Sequence, residues 1–246
     1  MTSRKRLDIL LVERSLVTSR EQARRLIMTG AVVVDEQRID KPGALVDVSA
    51  ALRIKEERRS PYVSRGGHKL EAGLRAFGLD VRGVIALDVG ASTGGFTDCL
   101  LQHGAAKVFA VDVGYGQLAW SLRQDPRVIC LERCNIRTLD SSVLDEEPTL
   151  AVIDASFISL SLIIPKVIEF LVPQGIIVAL IKPQFEVGKG KVGKGGVVRE
   201  PSLHSEVITH LCTQAEGWNA NVNGVIQSPL LGPKGNKEFL LCLQKR

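Results

Sequence analysis

The first sixty residues alternate between short amphipathic segments and short apolar runs. Leucines at helical spacing predict a helix over residues 7–17. A second helix is expected after Thr18 or Ser19, each of which begins a possible capping box, and Gly30 would end it. The two strands predicted in this region span residues 31–34 and 52–54. The pattern is typical of a small α+β domain.

From residue 79 onward, continuous apolar runs alternate with segments of helical periodicity. Such strands, buried on both faces, predict an α/β fold with a mostly parallel, Rossmann-like sheet and helices on both faces. Ligands bind sheets of this kind at the carboxyl ends of the strands. The predicted strands span residues 84–89, 107–112, 150–153, 175–181, 222–227 and 239–244, and the predicted helices 96–103, 160–171 and 203–216.

Charge divides the chain in the same way as the hydrophobic pattern. The formal net charge of +5 lies entirely in residues 1–65, which hold 14 basic and 9 acidic residues. A charge excess confined to one end indicates a region that binds a polyanion, although a solvated basic face would look the same. We predict a first domain over residues 1–55, a charged linker over 56–65 and a second domain over 66–246.

Composition excludes several classes of protein. The basic N-terminus runs into an amphipathic segment rather than a signal peptide, and no apolar run reaches the length of a membrane span. We therefore expect a cytoplasmic protein that does not contact membranes. The five cysteines have scattered spacings, so neither a disulfide framework nor a metal site is expected.

A glycine-rich turn follows the first strand of the second domain. Residues 88–96 read Asp-Val-Gly-Ala-Ser-Thr-Gly-Gly-Phe, and Asp112 ends the next strand. Glycines let the backbone approach a nucleotide closely, and a carboxylate at the end of the second strand suits a ribose. The spacing differs from the G-x-G-x-x-G of dinucleotide sites and resembles the first motif of S-adenosylmethionine methyltransferases. A plain tight turn remains the structural alternative.

A second glycine-rich segment, residues 188–195, almost matches a phosphate-binding P-loop. Gly195 replaces the Ser or Thr that would hold magnesium, and the segment does not join a strand directly to a helix. A nucleoside triphosphatase is therefore rejected. We expect either a basic lid that meets RNA or an ordinary exposed loop.

Charged residues also stand at the predicted ligand-binding edge of the sheet. Asp154 and Lys182 follow adjacent strands, Glu238 precedes the last strand, and Lys69 follows a Ser-Arg-Gly-Gly-His segment. One such residue is usually a solvated cap, but two at neighbouring strand ends favour catalysis. We expect Lys182 to steer an attacking hydroxyl and stabilise its developing negative charge, while Asp154 and Glu238 orient the lysines.

These motifs resemble two known families. Residues 19–35, with Lys41-Pro42, resemble the S-four RNA-binding fold, and Lys69, Asp154, Lys182 and Glu238 resemble the Lys-Asp-Lys-Glu tetrad of the FtsJ-like ribose 2′-O-methyltransferases. The whole chain looks like the TlyA family, also labelled haemolysin A. The resemblance implies S-adenosylmethionine as cofactor, ribosomal RNA or ribosomal subunits as partner, and 2′-O-methylation of cytidine in both subunits or the small one only.

The site residues follow from the motifs and the resemblance together. The expected cofactor-binding residues are Asp88, Gly90, Ala91, Ser92, Gly94, Gly95, Phe96, Asp112, Val113, Asn135, Asp154 and Phe157. Within this set, Asn135 is expected near the adenine, and Phe157 is as readily a core residue as a pocket residue. The expected RNA-binding residues are Arg4, Arg6, Arg20, Arg24, Arg25 and Arg65.

Three other functions compete with a methyltransferase. An RNA-binding or ribosome-assembly factor with an inactive second domain is disfavoured because the glycine turn, Asp112 and the four charged residues are all present. A pore-forming haemolysin is disfavoured because neither a secretion signal nor a membrane span is evident. A dehydrogenase is disfavoured by the glycine spacing and would leave the basic first domain without a role.

Overall fold

The computed structural model describes residues 3–54, 60–188 and 190–246. The chain forms two compact units, Met1–Pro61 and Tyr62–Arg246. Most of the charged stretch that led to the linker prediction lies outside the described residues. Tyr62 is buried in the core of the second unit, and Val63 donates a hydrogen bond to Asp98 there. The boundary between the two units, after Pro61, falls within the predicted linker over 56–65.

The first unit combines two helices with two small antiparallel sheets. Ser19 begins the second helix by accepting a hydrogen bond from the Gln22 amide at 3.2 Å. The first helix ends four residues before the predicted end, and Ser15 beyond it adopts a left-handed conformation with φ +55°. The elements are β1 (Arg4–Arg6), α1 (Leu7–Glu13), α2 (Arg20–Met28), β2 (Val32–Val34), β3 (Gln37–Arg38), β4 (Leu45–Asp47) and β5 (Leu52–Ile54).

Strand pairing and a small apolar core hold this unit together. Strand β2 lies between β3 and β5, and β1 pairs with β4; all of these pairs are antiparallel. Leu7, Leu11 and Ile27 carry the apolar faces of the helices into the core against Val32 and Val34. The helix residues that lie at helical spacing in the sequence are thus the ones that are buried in this core.

The second unit is built on one seven-stranded sheet in the order β11-β12-β10-β9-β6-β7-β8. Neighbours from β10 to β8 are parallel, whereas β12 runs antiparallel to both β10 and β11. The strands are β6 (Ile85–Val89), β7 (Lys107–Asp112), β8 (Val128–Glu132), β9 (Leu150–Ile153), β10 (Ile176–Ile181), β11 (Ala220–Gln227) and β12 (Phe239–Lys245). The helices are α3 (Gly66–Ala76), α4 (Gly95–Gln102), α5 (Trp120–Arg123), α6 (Ile164–Phe170), α7 (Pro183–Glu186) and α8 (Pro201–Gly217).

Helices cover both faces of this sheet, as expected. Leu70 of α3 and Leu100 of α4 pack into one core, and Ile164 of α6 and Leu211 of α8 pack into the other. The two cores explain why β9 and β10 are apolar at every position. The carboxyl ends of β6, β7, β9 and β10 consequently meet along one edge.

Several elements of this unit differ from the prediction, and four were not predicted. The single helix expected over 160–171 is a 3₁₀ turn, Leu160–Leu162, followed by α6, in which Pro165 occupies the first turn and cannot donate a backbone hydrogen bond. Helix α8 extends to Gly217 and begins at Pro201, two residues earlier than predicted. Helices α3, α5 and α7 and strand β8 were not predicted at all.

Within the part of the chain that the structure describes, no helix combines the length and the apolar character needed to cross a bilayer.

Candidate functional site

The turn between β6 and α4 depends on glycine at two positions. Gly90 has φ +83°, and a Cβ atom there would stand 2.9 Å from the backbone oxygen of Asp154. Gly94 has φ +97°, and a Cβ atom there would stand 2.3 Å from a methyl carbon of Leu122. Both positive φ and close approach exclude larger residues. The conformation of this turn therefore requires glycine at both positions.

Asp88 lies beneath this turn and anchors it to the following helix. Its Oδ2 accepts a hydrogen bond from Thr97 Oγ1 at 2.6 Å, while Oδ1 has no partner among the described residues. Burial raises the pKa of Asp88 to about 7; the Thr97 hydrogen bond opposes that rise, and the Asp154 charge adds to it. Asp88 was expected to bind the cofactor, but it lines neither cavity of the site and supports the turn from below.

The larger cavity, of about 380 Å³, opens between the carboxyl ends of β6, β7 and β9. Asp112 stands at its wall, where Oδ2 accepts from the Ser92 amide and Oδ1 from the Gly114 amide, both at 2.7 Å. Each carboxylate oxygen keeps a second lone pair for a ligand hydroxyl. The expected cofactor residues that line this cavity are Gly90, Ser92, Asp112, Val113, Asn135, Asp154 and Phe157.

Phe157 is not a core residue. Its side chain is 89% exposed, its φ is +65°, and its ring centroid lies 5.0 Å from that of Phe185. A bulky residue rarely adopts a positive φ. The backbone thus holds an aromatic ring at the rim of the larger cavity.

Lys182 and Asp154, which follow adjacent strands, form an ion pair. Lys182 Nζ lies 2.6 Å from Asp154 Oδ1, in contact but without hydrogen-bond alignment, and donates to Ser156 Oγ at 2.8 Å. The lysine side chain is almost fully buried, whereas that of Asp154 is partly exposed. The ammonium is thus fixed at the sheet edge by the loop that follows β9.

Lys69 and Glu238 form a second ion pair, which is more deeply buried. Lys69 Nζ donates to Glu238 Oε2 at 2.5 Å across 169 residues of sequence. The other carboxylate oxygen faces Gly232, where a Cβ atom would stand 1.9 Å from it. The four residues expected to form a tetrad therefore arrange as two lysine–carboxylate pairs.

The smaller cavity, of about 270 Å³, lies against three members of the tetrad: Lys69, Asp154 and Lys182. Of the expected cofactor residues, Ala91, Gly95 and Phe96 line this cavity, and Gly94 lines neither. The residues that line both cavities are Gly90, Ser92, Asp154 and Ser156. Two ligand spaces thus meet beside Asp154, the geometry that transfer between two bound molecules requires.

Two expected RNA-binding arginines of the first unit are organised by a carboxylate that sequence reasoning missed. Asp8 is fully buried; Arg6 donates to both of its oxygens at 3.0 Å, and Arg20 donates to Oδ2 at 3.0 Å. These hydrogen bonds hold the pKa of Asp8 at about 2, with Arg6 the larger cause and burial opposing it. Both guanidinium groups remain about half exposed, with unused N–H donors.

The other expected RNA-binding arginines lie in three places. Arg4 is exposed on β1, and Arg24 and Arg25 are exposed on α2. Arg65 lies in the second unit, where it lines the smaller cavity and donates to the Leu231 carbonyl at 3.1 Å.

The sequence analysis did not identify several residues that line the smaller cavity. Ser156 contacts Lys182, and Leu231, Gly232 and Pro233 form a wall from the segment before β12. The Asp-Ala-Ser run after β9 could have indicated Ser156, since it lies two residues beyond a strand end. The position of residues 231–233 could not be predicted from the sequence, because it depends on where β12 lies in the strand order of the sheet.

Comparison with known proteins agrees with this division. Residues 62–245 match the model of the FtsJ-like methyltransferase family, and residues 5–52 match that of the S4 domain, the S-four fold expected from the arginine-rich helix. The fold class and the enzyme class predicted from the sequence, an α/β methyltransferase behind a small RNA-binding domain, are confirmed.

Relatives match this chain over nearly its whole length. The 16S/23S rRNA (cytidine-2′-O)-methyltransferase TlyA of Mycobacterium tuberculosis is 48% identical over 99% of this chain and 91% of its own. Hemolysin A of Brachyspira hyodysenteriae is 38% identical over 96% of this chain and 98% of its own. A solved structure from Streptococcus thermophilus is 45% identical, with a TM-score of 0.78, and covers all of this chain and 90% of its own. The chain therefore belongs to the FtsJ-like methyltransferases and, with its S4 domain, to their TlyA family.

Proposed function

We propose that this protein transfers a methyl group from S-adenosylmethionine to the ribose 2′-hydroxyl of cytidine in ribosomal RNA. The observation that carries the proposal is the junction of two cavities beside the Asp154–Lys182 pair. One cavity has the features of a nucleoside site, and the other exposes the ammonium of a nearly buried lysine. A methyl donor and a ribose placed in these cavities would meet at Asp154.

The residues of the larger cavity suit S-adenosylmethionine. The Gly90 turn offers close backbone approach, and Asp112 offers free lone pairs to the ribose hydroxyls. Asn135 and Phe157 supply an amide and an aromatic face for the adenine. When bound, the cofactor supplies a methyl group already activated by its sulfonium charge.

The Asp154–Lys182 pair would act on the substrate hydroxyl. A 2′-hydroxyl is a weak nucleophile that loses its proton to water as it attacks, so negative charge develops on its oxygen. Lys182 Nζ, held by Asp154 and Ser156, supplies a fixed positive charge where that oxygen would lie. Such preorganised charge typically contributes about 10²–10³ in rate.

The Lys69–Glu238 pair would shape the opposite wall. Lys69 lines the smaller cavity, and Glu238 holds its ammonium from behind. Since Glu238 itself does not line the cavity, its role is to position Lys69. Lys69 then offers a second cation to the ribose or its phosphate.

The first unit would supply the RNA contacts, with ribosomal RNA or ribosomal subunits as the partner. Its arginines carry guanidinium groups suited to phosphate oxygens, and Asp8 fixes two of them in place. Recognition would rest on the shape and backbone of structured RNA rather than on base edges. A protein that modifies ribosomal RNA works where ribosomes are assembled, so we propose the cytoplasm as its location.

The test is transfer of radiolabelled methyl from S-adenosylmethionine to purified ribosomal subunits, followed by mapping of the modified nucleotide. We expect label on a cytidine 2′-oxygen. Lys182→Ala should lower transfer by at least about 100-fold while RNA affinity stays nearly unchanged. Lys166→Ala, which removes a half-buried lysine on α6 that lines neither cavity, is the matched control and should transfer at the wild-type rate.

The same experiment tests the alternative of a non-catalytic RNA-binding or assembly factor. No label on either subunit, on free ribosomal RNA or on transfer RNA, despite measurable cofactor binding, would favour that alternative. Wild-type transfer by Lys182→Ala would remove the role proposed for this lysine.

A further inference from the structure

Asn236 joins two loops that lie far apart in the sequence. Its side chain is buried: Oδ1 accepts from the Val198 amide at 3.0 Å, and Nδ2 donates to the Gly196 carbonyl at 3.0 Å and the Pro233 carbonyl at 3.2 Å. These three hydrogen bonds thus join the side-chain amide of Asn236 to backbone atoms of both loops. The arrangement fastens residues 193–199 to residues 231–237.

The first of these loops is a tight hairpin from the glycine-rich segment that the sequence analysis rejected as a P-loop. Gly193 and Val197 form an antiparallel bridge, and Gly195 and Gly196 both have φ +80°. Val197 and Val198 are buried and fix the base of the hairpin. Lys189, at the beginning of the segment, lies outside the described residues.

Exposed cations cluster where the two loops meet. Lys234 adopts a left-handed conformation with φ +57°, and its Nζ lies 3.9 Å from where a Cβ atom on Gly196 would stand. Arg199 folds over Gly193 in the same way, with Nη1 3.6 Å from where a Cβ atom there would stand. The four exposed cations of the two loops are Lys194, Arg199, Lys234 and Lys237. Among the described residues, none of the four forms an ion pair, although Glu200 follows Arg199.

The second loop is also a wall of the smaller cavity. Leu231, Gly232 and Pro233 line that cavity, and Arg65 on its rim donates to the Leu231 carbonyl. A cation on this loop therefore stands within a few residues of the space proposed for the target ribose. Several positive charges at the entrance to such a site attract a polyanion such as RNA.

We infer that the paired loops 193–199 and 231–237 form a phosphate-binding rim, which holds the RNA backbone next to the target nucleotide. Lys234 and Arg199 contact the phosphates, and Asn236 is the positioning residue that keeps the two loops together. This inference rests on the proposed function. It adds a second RNA contact, separate from the arginines of the first unit.

The charge test uses the double variant Lys234→Gln with Arg199→Gln in the full-length protein. Binding to deproteinised ribosomal RNA is measured across a salt series, and KM and kcat are measured for methyl transfer to ribosomal subunits. We expect the slope of log affinity against log salt to fall by about 1 for each removed cation. We also expect KM to rise by roughly 10-fold with kcat changed less than about twofold, because the lost contacts concern binding. Arg75→Gln, on the last turn of α3, is the control and should leave KM unchanged.

The positioning test uses Asn236→Ala, which removes no charge. If Asn236 aligns the cations, this variant also lowers the salt slope and raises KM. If it only stabilises the fold, thermal unfolding shifts while the salt slope stays at the wild-type value. That second result would overturn its role as a positioning residue.

The two proposals fail in different ways. A wild-type protein without methyl transfer would contradict the proposed function, but the salt series would still test the rim. A wild-type protein that methylates ribosomal RNA, with the double variant matching Arg75→Gln in slope and KM, would overturn the rim and leave the proposed function intact.

Discussion

At the scale of single residues, the two lysine–carboxylate pairs of the site differ in burial. Glu238 is almost fully buried and its partner Lys69 nearly so, whereas Asp154 is reachable from both cavities. A buried pair contributes little net stability, because desolvation offsets its attraction, but removing one partner leaves a buried charge alone. The Lys69–Glu238 pair is therefore expected to be sensitive to single substitutions.

Glu238→Leu should lower the free energy of unfolding by about 3–5 kcal/mol, because Lys69 loses its carboxylate. Adding Lys69→Met should restore most of that loss, since an apolar pair of similar volume needs no partner. Methyl transfer should stay low in the double variant, because the cation at the cavity wall is gone. Denaturant unfolding and transfer assays on the same samples test both statements; full activity of the double variant would contradict the role of this pair.

Asp8 carries a prediction about acid stability. Its folded pKa of about 2 lies below its ordinary value of 3.8, so the stability it contributes is present above pH 4 and is lost as pH falls toward 2. We expect this contribution to be about 1–2 kcal/mol, reduced by the exposure of both arginines. Asp8→Asn should remove it, so unfolding of the first unit should depend less on pH in this window. An unchanged pH profile would contradict the role of Asp8.

Sequence reasoning located the residues whose position follows from a single strand. Asp112, Asp154 and Lys182 follow apolar runs, and burial of the strand fixes which edge they reach. It did not find Asp8 or Asn236, because their partners lie in other segments and only the folded chain brings them together.

At the scale of elements, the cofactor turn depends on its connection to α4. Asp88 at the end of β6 and Thr97 in the first turn of α4 form this connection through one hydrogen bond. Because the pKa of Asp88 is raised to about 7, the folded state disfavours the ionised carboxylate. Its favourable contribution is thus complete below pH 4 and is lost as pH rises through about 7.

Asp88→Asn should make the turn less sensitive to pH. The amide keeps an acceptor for Thr97 Oγ1 and cannot ionise. We expect the stability of the variant relative to the wild type to increase between pH 5 and pH 8, as measured by urea unfolding at each pH. A constant difference across that range would contradict the assignment of a raised pKa to this carboxyl group.

The elements that were predicted and those that were missed differ in hydrophobic pattern. Strands β7 and β9 were placed at their observed bounds, because four apolar positions stand without interruption between polar residues in each case. Helix α3 was missed because it begins with Gly66 and Gly67, which weaken any helical signal. Gly67 is nevertheless required there, since a Cβ atom would stand 2.2 Å from the ring of Tyr62. Tertiary packing therefore determines where α3 forms, and tertiary packing cannot be read from a single sequence.

At the scale of the whole molecule, most of the basic excess lies in the first unit, and the four residues proposed for the chemistry lie in the second. The S4 match covers residues 5–52, and all four tetrad residues lie within the FtsJ-like match over 62–245. This separation predicts that RNA affinity and chemistry can be changed independently. On charge alone a solvated basic face was an equal alternative, and the S-four-like pattern of residues 19–35 favoured an RNA-binding first domain.

The prediction is tested with one variant in each unit. Arg20→Ala combined with Arg24→Ala should weaken RNA binding and lower its salt dependence, because two phosphate contacts are lost. Methyl transfer at saturating RNA should then remain near the wild-type rate. Lys182→Ala should show the reverse pattern, with normal RNA affinity and little transfer. If the arginine variant instead lowered the rate at saturating RNA, the first unit would contribute to the chemical step itself, and the separation of roles between the two units would be wrong.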